Sequence, residues 1–396
     1  DFDGSYKEIM LGSDKMTYFD NAATTFPKPD CVYDFMNAFY RKRGANAGRG
    51  NYEMAESAGA LIKATRRRLQ ALLHCESKQV IFTPTATIAL NIIIQGMIKK
   101  GVKNIYISPF EHNAVTRTLH NFEKQGTIAV RQLEVEQSLA YDIERIRYQF
   151  DAVKPDMLIV SHASNVLGLV APVEELCSLA KEYEAYTLID MSQTAGLVDL
   201  QVGLNTIDFA VFAGHKTLYG PTGISGFVMK PEIEMPAVIF GGTGFESANQ
   251  DMPQSLPERY EMGTGNIVGI AGLNAALKWL DEEGLDKIWK KEEEHRKRLL
   301  DILQGYDFLR VVGNNTQQKF VGIVSCVMDG ISSDSAGGIF DRYGIAVRTG
   351  LQCAPLAHQF LGTYPAGTIR FSVGYFTSDD DFEALERALE EIEENL

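Results

Sequence analysis

The sequence predicts an α/β fold in which a mainly parallel sheet forms a large domain and a smaller α+β domain completes the chain. From about residue 54 to residue 280, short apolar strands alternate with helical segments. Alternation of this kind requires crossover connections and therefore favours parallel strands. Polar residues follow several of these strands directly, and after the alternating region a charged helical stretch leads into a shorter region with its own strands and helices.

The helices and strands of the large domain follow from their hydrophobic patterns. Helical periodicity covers residues 55–73 and 87–98, and the triplet Arg66 to Arg68 is expected to be a solvated helix face. The strands are short apolar runs bounded by polar or turn residues. They are predicted at 80–82, 104–108, 157–161, 186–190, 209–212 and 226–229.

The smaller domain is expected to combine residues 1–30 with residues 281–396, which leaves 31–280 for the large domain. A long charged helix is predicted from Ile270 to about Gln304. The segments after it alternate between strand-like and helical patterns, and the loop around Cys353 lies among them. These segments are 320–328, 332–344, 368–374 and a terminal helix at 380–394.

Composition excludes several functional classes. The 396 residues carry a net charge of −14, and the chain has no long Lys/Arg run, so we expect no nucleic-acid partner. The longest apolar stretches are interrupted by Asn, Gln or Lys, so we expect no membrane span. The first residues are acidic and polar, which is not a signal-peptide pattern, and the expected location is the cytoplasm. Whether the residues before Met16 are native is left open.

The five cysteines are widely spaced and contain no C-x-x-C pair, so neither a disulfide framework nor a zinc site is expected. Cys177 and Cys326 lie in apolar patterns and are predicted to be core residues. Cys31 and Cys75 carry no interpretable signal. Cys353 lies in the short polar loop 348–355, where a thiol is free to be exposed and nucleophilic and nearby cations favour the thiolate.

Asp190 ends one predicted strand, and Lys216 ends the turn that follows the neighbouring strand. These two residues are the most informative pair in the chain. Ligands of open α/β sheets bind outside the carboxyl ends of the strands. An acid that pairs with a pyridinium nitrogen and a lysine that forms an imine are the two protein groups that pyridoxal phosphate needs. Gln193 follows Asp190 by one turn, and a glycine-rich segment, 219–223, follows Lys216. Together these residues predict a pyridoxal 5'-phosphate site.

Three further strand ends carry polar residues. Ala86 and Thr87 open a helix after the strand at 80–82, and a helix N-terminus is a natural phosphate site. His112 follows the next strand and is placed to lie flat on an aromatic cofactor. Asn165 follows the strand at 157–161 and is placed to reach a substrate carboxylate or the cofactor hydroxyl. These side chains are therefore expected to converge.

The chain resembles the class V aminotransferase family of pyridoxal-phosphate enzymes and, within it, the cysteine desulfurases. The resemblance runs from Tyr18 to Ser372. It implies fold type I, with a seven-stranded sheet, and a homodimer. It is carried by the motifs DNAATT, EHNAV, SNVLG, the Asp190/Gln193 pair, GHKTLYGPTG, EMGTGN and RTGLQCAPL.

The resemblance also implies roles for individual residues. Lys216 would bond the cofactor covalently, Asp190 its ring nitrogen and Gln193 its phenolic oxygen, while His112 would stack on the ring. The phosphate would be held by the Ala86 backbone, Thr87 and His215, with Thr264 reaching the phosphate of the other subunit. Asn165 and Arg370 resemble the substrate-carboxylate ligands, with Arg348 and Arg49 as weaker candidates. The family usually places a hydroxyl where this chain has Ala213, so one phosphate hydrogen bond is expected to be missing.

Cys353 decides among the reactions that this cofactor serves. Desulfuration needs an enzyme thiolate that attacks the sulfur of L-cysteine, and it leaves alanine and a persulfide on Cys353. The short loop resembles the second group of desulfurases, which usually relies on a dedicated sulfur-acceptor protein. A selenocysteine lyase acting on L-selenocysteine, another carbon–sulfur lyase, a class V transaminase and an inactive cofactor-binding regulator remain as alternatives. The preference for cysteine over selenocysteine, the sulfur acceptor and the pathway stay open.

Overall fold

A computed structural model describes residues 16–47, 50, 52–315 and 317–395. Seven strands form the larger sheet in the order β2-β8-β7-β6-β5-β3-β4. All neighbouring pairs are parallel except those that involve β8, which runs antiparallel to both neighbours. The predicted mainly parallel seven-stranded sheet is therefore confirmed. The strands are β2 (Gln79–Thr83), β3 (Asn104–Ile107), β4 (Ala129–Gln132), β5 (Met157–Ser161), β6 (Tyr186–Asp190), β7 (Phe209–Ala213) and β8 (Ser225–Met229).

Helices cover both faces of this sheet, because alternate strand residues point to opposite sides. Ile159 and Val211 pack on one face with the helix that follows β2, whereas Val160 and Phe212 pack on the other with the helix that follows β5. The helices of this region are α1 (Asp30–Arg43), α2 (Glu53–Leu72), α3 (Ala86–Lys100), α4 (Asn113–Lys124), α5 (Ile143–Ala152), α6 (Val173–Glu182) and α7 (Ile267–Glu283).

The C-terminal region forms a four-stranded sheet in the order β12-β13-β10-β9, with its own apolar core. The N-terminal strand β1 (Thr17–Tyr18) pairs with β11 (Ile345–Ala346) in this region, and Phe19 is buried in its core. The division at residues 30/31 and 280/281 stays a prediction. The remaining elements are α8 (Leu285–Gln304), β9 (Leu309–Val312), β10 (Ile323–Met328), α9 (Ser333–Arg342), β12 (Arg348–Gly350), α10 (Pro355–Leu361), β13 (Thr368–Ser372) and α11 (Asp379–Glu394).

Two sequence predictions about helices were wrong. The single long helix from Ile270 to Gln304 is two helices, because Gly284 adopts φ 81° and ψ 132° between α7 and α8. Glycine enters this region without the steric cost that other residues meet. Arg66 is not part of a solvated face, since its guanidinium bonds both carboxylate oxygens of Glu261 at 2.7 and 2.6 Å and lies 4.7 Å from the ring centre of Phe82.

Candidate active site

A cavity of about 250 Å³ opens at the carboxyl ends of the parallel strands and collects most of the predicted site residues. It contains residues that are far apart in sequence, as expected for an open α/β sheet. The predicted residues that line it are Ala86, Thr87, His112, Asn165, Asp190, Gln193, His215 and Lys216. Sequence reasoning had assigned no role to three other polar lining residues, Thr85, Ser161 and Ser192.

Helix α3 begins at this cavity. Thr85 is its N-cap, and the Thr85 hydroxyl accepts a hydrogen bond from the Ile88 amide at 3.2 Å. The hydroxyl hydrogen of Thr85 therefore remains available to a ligand. The first amides of a helix have no carbonyl partner inside the helix, so those of Ala86 and Thr87 present donors and the positive end of the helix dipole. This end of the cavity is built to bind an anion.

His112 caps helix α4, and this contact fixes the orientation of its ring. Its Nδ1 accepts a hydrogen bond from the Ala114 amide at 3.0 Å, which leaves Nε2 to carry the proton of the neutral ring. Burial, followed by the positive charge of Lys216, lowers the pKa of His112. A neutral, flat ring therefore faces the cavity.

Lys216 and Asp190 lie in the same cavity and interact electrostatically. Burial lowers the pKa of Lys216 to about 8, and Asp190 opposes that shift. The Asp190 carboxylate accepts hydrogen bonds at Oδ1 from the Ser192 amide (3.0 Å) and the Ser192 hydroxyl (2.6 Å). Its second oxygen, Oδ2, is left for a ligand. The lysine thus has an amine that is partly neutral near pH 8 opposite a fixed carboxylate.

The N-terminal DNAATT motif and Lys28, three residues after it, hold the turn that carries Lys216. The Thr24 hydroxyl and the Lys28 ammonium both donate to the His215 carbonyl, at 3.0 and 2.8 Å, and the Thr25 hydroxyl donates to the Lys216 carbonyl at 3.0 Å. Sequence analysis recognised the motif but gave these residues no role. Two adjacent threonines and a lysine are visible in the sequence, but the carbonyl groups that they bond lie almost 200 residues further along the chain.

Three buried polar atoms have no hydrogen-bond partner among the described residues around the site: His215 Nδ1, Asn165 Oδ1 and Arg370 Nε. Buried polar groups normally have partners, so each unpartnered atom requires an explanation. His215 lines the cavity beside the start of α3, and burial, followed by Lys216 and Lys28, lowers its pKa to about 4. The anion-binding helix end, the unpartnered atoms and the Asp190–Lys216 pair fit pyridoxal phosphate.

The predicted substrate ligands form one network beside the cavity. Arg370 donates from Nη1 to the Asn165 carbonyl at 2.8 Å and from Nη2 to Asp20 at 3.0 Å. Arg348 lies opposite Arg370 in the β12–β13 register and bonds the other Asp20 oxygen at 2.6 Å. Asp20, which the sequence analysis had not assigned, therefore holds both arginines. Arg49 lies outside the described residues.

Cys353 is exposed and lies in a groove next to the cavity. The loop that carries Cys353 is hydrogen-bonded to the cavity wall: the Asn113 amide, between the lining residues His112 and Ala114, donates to the Cys353 carbonyl at 2.6 Å, and Asn165 Nδ2 donates to the Gln352 carbonyl at 2.6 Å. Among the other cysteines, Cys177 and Cys326 are buried as predicted, Cys75 is also buried, and Cys31 is exposed. The chain therefore has a second accessible thiol that the sequence did not indicate.

Thr264 does not line this cavity. It is exposed and lies on a separate cavity of about 250 Å³ together with Tyr40, Asn46 and Asn266. Its predicted contact with the phosphate of a second subunit stays a prediction. None of the described helices is both long and apolar enough to cross a membrane.

Comparison with known proteins shows the family of this chain. The sequence model of the aminotransferase class V family, "Aminotransferase class-V", matches residues 17–385. The chain belongs to the aminotransferase class V family. Enzymes of this family are pyridoxal-phosphate dependent, which confirms the cofactor prediction.

Two relatives and one solved structure are similar over nearly their whole length. A probable cysteine desulfurase of Pyrococcus abyssi is 30% identical over 401 residues, which cover 98% of this chain and 97% of that protein. A probable cysteine desulfurase of Halalkalibacterium halodurans is 30% identical over 387 residues, which cover 96% of this chain and 93% of that protein. The solved structure of cysteine desulfurase from Thermococcus onnurineus NA1 has 27% sequence identity to this chain and a TM-score of 0.89. The match covers 96% of this chain and 95% of that one.

Proposed function

We propose that this member of the class V family is a cysteine desulfurase, which converts L-cysteine to L-alanine and receives the sulfur on Cys353 as a persulfide. The observation that carries the proposal is the exposed Cys353 thiol in a loop that is hydrogen-bonded to Asn113 and Asn165 at the wall of the cofactor cavity. Relatives named as probable cysteine desulfurases, similar over the full chain, support it. A transaminase has no use for a thiol in this place.

We infer that the cofactor is held by residues at both ends of the cavity. The α3 amides of Ala86 and Thr87, with the Thr87 hydroxyl and His215 Nδ1, would hold its phosphate. Lys216 Nζ would attach it covalently, and Asp190 Oδ2 would pair with its ring nitrogen. Two residues at the strand ends complete the set, with Gln193 at the phenolic oxygen and His112 against the ring face.

The chemistry at the substrate is divided between Arg370, Lys216 and Cys353. Arg370, with a remaining Asn165 N–H, would orient the carboxylate of L-cysteine. Lys216 Nζ, with a pKa of about 8, exchanges a proton with the substrate near neutral pH. When bound, pyridoxal phosphate supplies an electron sink for the carbon fragment. The Cys353 thiolate attacks the substrate sulfur, so an S–S bond forms as the C–S bond breaks, and protonation of the released carbon gives alanine.

We infer that the persulfide on Cys353 is delivered to a sulfur-acceptor protein, in keeping with the short-loop second group of desulfurases. The groove that contains Cys353 has a volume of about 720 Å³, compared with about 250 Å³ for the cofactor cavity. Its walls mix apolar residues, such as Leu356 and Tyr364, with polar ones, such as Asn113 and Gln132. A groove of this composition suits a protein surface that brings its own thiol to Cys353.

The deciding experiment measures alanine release and locates the persulfide by mass spectrometry after treatment with L-cysteine. We expect stoichiometric alanine and a persulfide on Cys353. Cys353→Ser should retain the cofactor and bind cysteine but form neither product, because a hydroxyl is a weak nucleophile. Cys31→Ser is the matched control, since Cys31 is also exposed, and burial followed by Glu282 raises the pKa of its thiol.

Three results would contradict the proposal or redirect it. Persulfide formation that survives in Cys353→Ser and is lost in Cys31→Ser would show that the nucleophile is Cys31 and not Cys353. A keto acid product with accumulation of the amino form of the cofactor would indicate a transaminase. Faster alanine release from L-selenocysteine than from L-cysteine would favour a selenocysteine lyase on the same scaffold.

A further inference from the structure

The backbone on which Cys353 sits has an unusual conformation. Gln352 and Cys353 have φ values of 39° and 58°, so two consecutive non-glycine residues lie in the left-handed region. This region is disfavoured for residues with a Cβ and persists only where the surroundings enforce it. Such strain is concentrated at functional sites. The surroundings of these two residues are therefore informative.

The Gln352 side chain is buried and fully hydrogen-bonded. Its Nε2 donates to the Thr368 carbonyl at 2.9 Å, and its Oε1 accepts from the Thr368 hydroxyl at 3.3 Å. The same oxygen lies 3.0 Å from His358 Nε2. Because Oε1 can only accept, His358 must carry its proton on Nε2. His358 Nδ1 then accepts from the Thr363 hydroxyl, 2.8 Å away.

His358 is itself completely buried on helix α10, and burial lowers its pKa. A buried neutral ring with both nitrogens bonded has a single orientation, so it acts as a rigid support for Gln352. On the other side, the Gln352 carbonyl accepts a hydrogen bond from Asn165 Nδ2 at 2.6 Å, and the Cys353 carbonyl accepts one from the Asn113 amide at 2.6 Å. Hydrogen bonds therefore hold the Gln352 side chain on one side and the carbonyls of Gln352 and Cys353 on the other.

We propose that Gln352 and His358 are positioning residues that hold the Cys353 backbone in its left-handed conformation and so set the rate at which the thiol takes sulfur from the substrate. This inference rests on the proposed function. Neither residue lines the cofactor cavity, so both act on the thiol and not on the cofactor. The Cys353 side chain is exposed, so it restrains the loop less than the buried Gln352 side chain does.

Two variants remove the support, and two others are matched to them. Gln352→Met and His358→Leu keep the approximate size but lose the hydrogen bonds. His358→Gln restores an N–H donor near the Nε2 position and is the conservative rescue. Gln359→Met, on the exposed face of the same helix, is the control for a Gln-to-Met change without loss of the network.

In single-turnover measurements, persulfide formation on Cys353 should fall at least about ten-fold in Gln352→Met and His358→Leu, because small misplacements of a reacting atom are costly. The dissociation constant of the cofactor, from absorbance titrations, should stay within about two-fold of the parent value, and His358→Gln should recover most of the rate. Parent-like persulfide rates in both Gln352→Met and His358→Leu would overturn the proposal. Equal losses of rate and of cofactor affinity would also overturn it, since they indicate a general folding role.

Hydrogen–deuterium exchange tests the loop without any turnover. The amides of Asn113 and Ala354, which bond the carbonyls of Cys353 and Leu351, should exchange at least about ten-fold faster in the two disruptive variants than in the parent or in Gln359→Met. Unchanged exchange would refute the positioning role. A parent protein that forms no persulfide would instead contradict the proposed function, and the exchange result would still decide whether Gln352 and His358 hold the loop.

Discussion

Asp20 holds Arg370 by a hydrogen bond of 3.0 Å between residues that are 350 positions apart in the chain. The bond orients a guanidinium whose Nε has no partner among the described residues. Burial lowers the pKa of Arg370, and Asp20 opposes this shift. Arg370 is therefore kept charged and aimed at the site by a residue from the start of the chain.

Arg370→Lys should raise the KM for L-cysteine by about ten-fold or more, because a hydrogen bond to a charged group is worth roughly 1.5–3 kcal/mol. A lysine supplies the charge but not the two-pronged geometry of a guanidinium. Steady-state kinetics test this, with Arg348→Lys as the control, since the Arg348 side chain is 52% exposed and should matter less. If Arg348→Lys raises the KM more than Arg370→Lys does, Arg348 and not Arg370 is the main ligand of the substrate carboxylate.

Lys216→Ala should abolish covalent attachment of the cofactor. After borohydride reduction, peptide mass spectrometry of the parent should find the cofactor on Lys216 and nowhere else. Lys28→Met is the matched control, because the Lys28 amine lies only 2.8 Å from the neighbouring His215 carbonyl. It should keep the attachment site. If the cofactor of the parent protein is found on any other lysine, the assignment of Lys216 is wrong.

Ala213→Ser should tighten cofactor binding about ten-fold if the added hydroxyl supplies the missing phosphate bond, which is worth roughly 1.5–3 kcal/mol. Ala213 lines the cavity at the end of β7. Equilibrium dialysis measures the affinity, and Ala210→Ser, on the same strand but away from the cavity, is the control. Unchanged affinity would mean that the Thr85 hydroxyl or the α3 amides already fill the place.

The protein should be a homodimer whose sites are completed by Thr264 of the second subunit. Several aromatic side chains near the N-terminus and α1 are exposed, among them Tyr33 and Tyr40 at 46% and 55%, as expected of a surface that is covered by a partner. Light scattering should give twice the chain mass. Thr264→Ala and Lys216→Ala should each bind the cofactor poorly, whereas a refolded mixture should recover binding in mixed dimers. An active monomer would exclude this arrangement.

Glu292 should make the folded state less stable as the pH rises. It is buried, and among the described residues its carboxyl accepts one hydrogen bond, from the Gly322 amide at 3.2 Å. Burial raises its pKa to about 8. A raised carboxyl pKa means that the folded state binds the extra proton. The stabilisation is thus complete below the ordinary pKa of 4.5 and is lost as the pH rises towards 8.

Glu292→Gln mimics the protonated carboxyl and should remove this pH dependence, which is on the order of 4 kcal/mol. Denaturant unfolding at pH 5 and pH 9 compares the variant with the parent. Glu293→Gln, at the exposed neighbouring position, should leave the dependence unchanged. A parent protein whose stability does not fall between these pH values would show that Glu292 is not protonated in the folded state.

The sequence by itself determined the local features. Apolar runs indicated six of the seven strands of the large sheet, because a buried parallel strand has little freedom in composition. They did not indicate β4 (Ala129–Gln132), an edge strand that is only partly buried. Polar residues at strand ends, such as Asp190 and His112, predicted the cavity that we propose as the cofactor site, because parallel strands bring their carboxyl ends to one edge. A lone cysteine in a polar loop predicted an exposed thiol, which we propose as the nucleophile. Each of these signals is contained within a few residues.

Only the tertiary structure decided which distant residues support the site. Asp20 bonds Arg370, Lys28 bonds the His215 carbonyl, and His358 bonds Gln352 next to Cys353. The break at Gly284 was equally hidden, since helical periodicity continues on both sides of it. A hydrogen bond depends on distance and direction in space, and residues joined across 350 positions leave no periodic trace in the chain between them.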